Sequence, residues 1–269
     1  MILRIVSVIT LLSFLVAAAA VYLVSVFADF NPSRLLLSFV LALPPQALIL
    51  YAVFERRAPV FGRVFWKGPR DARTIALTFD DGPNEPYTSR VLDILKSFNV
   101  KATFFILGEN ARVFPDAVRR AAGEGHEIGN HGCDHSVLPL KSPGRIRKEI
   151  RTTNDLIEGI AGVRPKLFRA SHGWRNPWVN KAARENGCLP VAWTHGVWDT
   201  DMPGSGVIAA RASKGLRNGC VLLLHDGRGT EHGVNTSQLI EALPTIIELA
   251  CQSGYGFVTV SEMMKGTCT

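Results

Sequence analysis

From Thr74 onward the chain alternates short apolar runs with stretches whose apolar residues recur at helical spacing. The runs TIALTF from Thr74, ATFFIL from Ala102, HEIGN from His126, KLFRA from Lys166, LPVAWT from Leu189, CVLLLHD from Cys220 and FVTV from Phe257 predict strands. Residues 87–98, 114–123, 143–160, 176–186, 206–217 and 236–252 predict helices between them. About seven such β–α units in tandem predict an α/β domain whose parallel sheet closes into a distorted barrel. Catalytic groups of such barrels sit at the mouth where strands run into the following loops.

Upstream the pattern changes. Ile5–Phe27 and Leu35–Phe54 contain no charged residue, and each is about as long as a helix that crosses a bilayer. They predict two transmembrane helices in a hairpin, joined by the turn ADFNPSR. A cleaved signal peptide is the competing reading of the first run, because Ala17–Ala20 supplies small residues of the kind found at cleavage sites. Pro44 and Pro45 predict a kink or a re-entrant path in the second run. The expected organisation is a membrane anchor over residues 1–57, a basic linker over 58–70 and a catalytic domain over 71–269.

Charge then sets an expected orientation. Arg4 precedes the hairpin and Arg56, Arg57, Arg63, Lys67 and Arg70 follow it, against Arg34 alone in the turn, so the positive-inside rule places the catalytic domain on the cytoplasmic side. The net charge of +7 is assigned to a membrane surface or an anionic lipid-linked substrate rather than to nucleic acid, because the cations cluster next to a span. The run GRIRKEIR from Gly144 reads as the solvated face of a helix. The five cysteines have no metal-type spacing and read as buried thiols in a reducing compartment.

Polar residues recur at the predicted strand ends: Asp80 and Asp81 after the first, His131 and His135 after the third, Arg169 after the fourth, Asp199 after the fifth, His225 and Asp226 after the sixth. Two adjacent carboxylates repel and need a cation or a shared proton. His131 and His135, in HGCDH, bring two imidazoles onto one compact loop. With one carboxylate they make a three-ligand set that leaves coordination positions open, the composition of a catalytic zinc-type site. Zn2+ leads, and Co2+, Ni2+, Mn2+ and Fe2+ also suit these donors.

TFDDGP, the H-x3-H pair, FRASHG around Arg169, WDTD around Asp199 and VLLLHD ending at Asp226 occur in an order and spacing that resemble the polysaccharide deacetylase family, carbohydrate esterase family 4, with its NodB-like domain. The resemblance covers roughly residues 71–265 and implies a distorted (β/α)7 barrel of the NodB-like type. It implies that Asp80 is the general base, Asp81 completes the metal site with His131 and His135, Arg169 pairs with the base, and His225 is the general acid oriented by Asp199. Leu223 resembles the leucine that contacts the acetyl methyl, and His172 with Gly173 corresponds to the segment that supplies an oxyanion-hole N–H.

The chain also departs from the pattern. Gly132 stands where the family has Ser or Thr, Ser171 and His172 where it has Pro and an aromatic residue, Thr200 where Trp is usual, and Gly196 where an aspartate is common. These departures put polymer substrates in doubt more than the chemistry. The leading expectation is a membrane-anchored, metal-dependent hydrolase that removes an acyl group, chiefly acetyl, from a lipid-linked amino sugar. The alternative is an extracytoplasmic deacetylase of a cell-wall polysaccharide such as peptidoglycan or a chitin-like glycan. A catalytically dead sugar-binding module is the third reading. A glycosidase using Asp80 and Asp81 is disfavoured, because its two carboxylates must flank the bond from separate positions.

Overall fold

The computed structural model describes residues 19, 43, 44 and 46–266. The chain divides into two compact units, Met1–Phe54 and Glu55–Thr269. The first predicted span, the turn and the start of the second span lie outside the described residues. Residues 46–54 are helical, and among the described residues no helix is long and apolar enough to cross a membrane.

The larger unit is built on eight strands: β1 (Thr74–Gly82), β2 (Thr103–Ile106), β3 (Glu127–Asn130), β4 (Leu167–Phe168), β5 (Leu189–Pro190), β6 (His195–Gly196), β7 (Cys220–His225) and β8 (Gly256–Phe257). They pair in the order β5-β4-β3-β2-β1-β7-β6, with β8 joined to the start of β1. Every pairing between named strands is parallel.

The expected closed seven-unit barrel is therefore corrected to a curled, half-closed sheet. The run Leu189–Thr194 does not form one strand; it breaks between β5 and β6, which lie at opposite ends of the order. Pro190 has no N–H to donate, which confines its strand to an edge. Residues of the supposed linker occupy the gap: Phe65 bridges to Val191 and Lys67 to Cys220. The N–H of Ala192 donates to Phe65 O at 2.7 Å, and Thr194 Oγ1 donates to Trp66 O at 2.6 Å.

Strand alternation divides the core. Ile75, Leu77 and Phe79 of β1 join Leu222 and Leu224 of β7 in the cluster that packs against Val91, Leu92, Leu95, Leu243, Ile246 and Ile247 of the covering helices. Ala76, Phe105 and Val221 belong to the opposite, inner cluster. By the period of two, Thr78, Asp80, Leu223 and His225 fall on that inner face. Both faces of β1 are buried from Ile75 onward, which explains its nearly unbroken apolar sequence.

Two further expectations change. The charged run from Gly144 lies in the helix Pro143–Ala161, but its Glu149 is buried and paired with Lys141 at 2.9 Å and Arg145 at 3.0 Å. Among the described cysteines Cys188 and Cys220 are buried, whereas Cys251 is exposed.

Candidate active site

Adjacent residues of a regular strand point to opposite faces, so Asp80 and Asp81 ought to diverge. They do not, because β1 carries an irregularity at its end: Asp80 pairs with Phe105 of β2, Gly82 with Ile106, and Asp81 is left out of register. Asp81 adopts φ 70°, a left-handed conformation that costs a non-glycine residue about 1 kcal/mol or more. Asp80 thus keeps the inner direction given by alternation while the bulge turns Asp81 toward the same mouth. Gly82 follows under tight constraint: a Cβ there would lie 2.2–2.6 Å from the Asp226 carboxylate.

His131 follows β3, its N–H donating to Ile106 O at 2.9 Å. Its Nδ1 lies 2.8 Å from Arg169 O. A carbonyl can only accept, so Nδ1 carries the hydrogen and a neutral ring presents its lone pair at Nε2. That atom is 3.3 Å from Asp81 Oδ1, and His135 Nε2 is 3.2 Å from the same oxygen. Ligand atoms of Asp81, His131 and His135 all lie within 4.8 Å of one another.

These residues fit a divalent ion. Asp81 Oδ1 is buried with no hydrogen-bond donor, and with neutral rings three lone pairs converge where no hydrogen separates them. One acid and two imidazoles are the donor set of a catalytic metal centre with open positions. Burial works against the Asp81 charge, but positive charge on the surrounding histidines, when they are protonated, outweighs it and holds the carboxyl far below its usual range.

Arg169, after β4, is completely buried. Its Nη1 donates to Asp80 Oδ1 at 2.7 Å and to Thr78 Oγ1 at 2.8 Å, and its Nη2 to Ala192 O at 3.1 Å. The guanidinium lies over the Phe105 ring at 4.0 Å. Asp80 Oδ2 stands 3.7 Å from His131 Nε2. One carboxylate oxygen is therefore tied to a fixed cation while the other faces the metal-ligand cluster.

His225 closes β7 directly beside Asp80 in the β1–β7 register. Asp199 grips it twice: Oδ1 lies 2.8 Å from His225 Nδ1, and Oδ2 accepts the His225 N–H at 2.7 Å. Burial disfavours the imidazolium, but the charge and hydrogen bond of Asp199 prevail and raise the histidine to about 9. A protonated Nε2 is thereby available at neutral pH at the same mouth.

The predicted substrate residues also reach this region. The His172 ring packs edge-on against His135 at 4.5 Å and against Trp174 at 5.1 Å. Burial, then the neighbouring His135 and His131, lowers its pKa to about 4, so it is a neutral wall. Gly173 has φ 72°, and a Cβ there would lie 2.6 Å from Trp193 Cη2. Leu223 is buried on the inner face, near Gly196.

The departure at Gly132 has a compensation. Its φ of 91° excludes an ordinary side chain, and the hydroxyl absent there is supplied by Ser171, whose Oγ would be 3.8 Å from a Cβ at 132. Ser171 Oγ donates to His131 O at 3.1 Å. Sequence reasoning treated Ser171 only as a deviation, missed Thr78 and Asn110, and gave no role to Asp226. Thr78 shares Arg169 with Asp80. Asn110 Nδ2 donates to Asp81 O at 2.8 Å and Gly229 O at 2.9 Å. Asp226, fully buried, accepts from Thr88 Oγ1 at 2.5 Å, and burial pushes its carboxyl up to about 7. A polar residue in the middle of an apolar strand was the available signal for Thr78; Asn110 lies on a helix start with no such contrast.

A family model for polysaccharide deacetylase matches residues 67–191. Over 209 residues the chain is 36% identical to a peptidoglycan-N-acetylglucosamine deacetylase of Bacillus cereus, covering 76% of this chain and 94% of that protein. A peptidoglycan-N-acetylmuramic acid deacetylase of Bacillus subtilis is 35% identical over 196 residues, 71% of this chain but 38% of that longer protein. The crystal structure of a peptidoglycan N-acetylglucosamine deacetylase in complex with 4-naphthalen-1-yl-N-oxidanyl-benzamide superposes with a TM-score of 0.71 at 35% identity, covering 75% of this chain and 92% of that one.

Proposed function

Because the chain belongs to the polysaccharide deacetylase family and is a carbohydrate N-deacetylase, we propose that it removes acetyl groups from N-acetylglucosamine or N-acetylmuramic acid residues of a cell-wall glycan. This replaces the lipid-linked amino sugar expected from the sequence with its alternative, since the relatives are named for peptidoglycan. The observation that carries the reading is the buried, donor-free Asp81 Oδ1 between two imidazole nitrogens, beside an Asp80–Arg169 pair and a His225–Asp199 pair.

In this reading Asp81, His131 and His135 hold one divalent ion, Zn2+ first among those that suit the donors. Such an ion supplies Lewis acidity toward the amide carbonyl and acidifies a water. Asp80, paired through Oδ1 with Arg169, accepts the proton of the attacking water through its other oxygen. His225 delivers its proton to the departing nitrogen, and Asp199 keeps the imidazole charged and turned with Nε2 outward. Leu223 lines the acyl site, and the segment His172–Gly173 offers the His172 backbone N–H to the developing oxyanion, the Gly173 N–H being held by Ala170 O at 2.8 Å.

The same reading places the catalytic unit on the cell-wall side, with the residues before Glu55 as its membrane anchor, shorter than the 1–57 expected, and 55–70 as the entry into the fold. The cations behind the cytoplasmic expectation are partly consumed by folding. Arg56 lies 4.8 Å over the Trp193 ring and donates to Trp193 O, while Arg57 lies over Trp66 and pairs with Glu55. Residues required inside a folded unit are poor witnesses to its orientation.

The test is mass spectrometry of peptidoglycan fragments, N-acetylglucosamine oligomers and polyprenyl-linked N-acetyl sugars after incubation with the purified protein. Loss of one acetyl unit from the glycans is expected, abolished by a chelator and restored by Zn2+. Activity confined to the lipid-linked sugars would overturn the substrate and return the cytoplasmic reading.

A further inference from the structure

We propose that Trp198 stacks on a sugar ring of the glycan next to the one being deacetylated, forming a subsite beside the Asp199–His225 pair. The inference rests on the glycan reading above and adds to it a contact outside the reacting centre.

Trp198 is 68% exposed, more than any other large apolar side chain among the described residues. Single exposed apolar residues are ordinary. Trp178, 49% exposed, stands in the regular helix Pro177–Glu185 and needs no explanation. Trp198 differs in being held out at a conformational cost. Its φ and ψ of 56° and 43° are left-handed, and so are the 53° and 51° of Met202, at the other end of the same short turn over Asp199–Asp201. Each such residue costs about 1 kcal/mol or more where no glycine is present.

The strained turn is fastened from several directions. Arg211 Nη1 donates to Val197 O at 3.1 Å and to Trp198 O at 3.3 Å. The N–H of Asp201 donates to Trp198 O, and that of Met202 to Asp199 O. Arg228 Nη2 donates to Thr200 O. Fixing this turn fixes Asp199, and with it His225; an exposed indole is not needed for that, since any residue that tolerates the backbone would serve.

What the indole adds lies in its position. Its backbone is adjacent to Asp199, the residue that grips His225, so the exposed indole is carried by the same turn as the acid pair. On the same turn opens a small surface pocket lined by Asp199, Thr200, Met202, His225, Arg228 and Asn235 among others; the indole stands outside it, next in the chain to its Asp199 wall. Carboxylate, hydroxyl, amide and guanidinium groups suit sugar hydroxyls, and a flat aromatic face suits the C–H face of a pyranose. The chain also has Thr200 where its family carries a tryptophan, so the indole at 198 is a placement of its own.

The experiment compares kcat/KM for an N-acetylglucosamine pentamer with kcat/KM for a small aryl acetate, in wild type, Trp198→Ala and Trp198→Tyr. The expected result is a fall of about tenfold in the pentamer-to-acetate ratio for Trp198→Ala, carried by KM, and a ratio near wild type for Trp198→Tyr. An unchanged ratio in Trp198→Ala overturns the proposal, as does equal loss in both variants. Weaker binding of Trp198→Ala to anionic phospholipid vesicles, with the ratio unchanged, would instead make the indole a membrane contact. If wild type deacetylates no glycan, the reading of function fails separately; pentamer binding by calorimetry then decides the subsite, with equal affinity of wild type and Trp198→Ala refuting it.

Discussion

Replacing Asp199 with asparagine isolates the charge that keeps His225 protonated. The side chain keeps its size, and its amide oxygen still accepts the His225 N–H that Oδ2 takes at 2.7 Å. What is lost is the negative charge 2.8 Å from Nδ1. The interval from the ordinary 6.5 to about 9 is worth ~3 kcal/mol in favour of the imidazolium. Burial acts the other way and only the more distant Asp81 and Asp80 still favour the charge, so in Asp199→Asn the histidine falls well below about 9. The amide N–H also donates to Nδ1 and leaves a neutral ring with its hydrogen on Nε2, a far weaker acid. Acetate release from glycan oligomers, followed across pH, is expected to show kcat at pH 7 reduced by about 10²–10³, with the alkaline limb moved down from near 9. Stability gives an independent readout. A histidine whose folded pKa is raised contributes stability that is fully present below pH 6.5 and is lost as pH rises through about 9. Wild type should therefore lose ~3 kcal/mol over that window, and Asp199→Asn should lack this slope. A variant that retains its alkaline limb near 9, or a kcat within about threefold of wild type, would show that Asp199 does not hold the acid.

Arg169→Met leaves Asp80 buried beside no cation, and is expected to cost about 3–5 kcal/mol in chemical denaturation and to abolish deacetylation; a stable, active variant would remove Arg169 from the site. Ser171→Ala deletes the hydrogen bond to the His131 carbonyl and should weaken Zn2+ affinity by about tenfold or more in competition with a chromogenic chelator, because outer partners orient metal ligands. Gly82→Ala drives a methyl into the Asp226 carboxylate and should destabilise the fold by about 1–3 kcal/mol; an unchanged Tm would mean that the turn after β1 is looser than its contacts imply.

The helices of the catalytic unit were legible because each buries a single stripe against the sheet, and that stripe is written in the sequence at helical spacing. The strand count and the closure were not. β5 and β6 are two residues each, too short for a period-of-two signal, and the segment that fills the gap beside them, Phe65–Lys67, lies in a charged stretch whose apolar run, Val64–Trp66, is only three residues long. Metal and acid candidates could be found because histidine and aspartate are conspicuous at the ends of apolar strands. Their supports escaped because Ser171 and Asn110 act through hydrogen bonds to backbone carbonyls, and a carbonyl leaves no trace in a sequence.

The adjacent aspartates show most clearly where the sequence stops and the backbone begins. Regular pleating permits only one of Asp80 and Asp81 to face the mouth, so two working carboxylates in consecutive positions require a departure from the strand. Sequence supplies part of the means: Gly82 and Pro83 end the ladder, and only glycine at 82 clears the Asp226 carboxylate. The rest is paid in strain at Asp81, whose left-handed φ is stabilised by Asn110 holding its carbonyl. The result is a division of labour between neighbours, with Asp80 continuing the strand toward Arg169 and Asp81 leaving it toward His131 and His135. A base and a metal ligand are thereby set side by side with their directions fixed by backbone geometry rather than by side-chain choice.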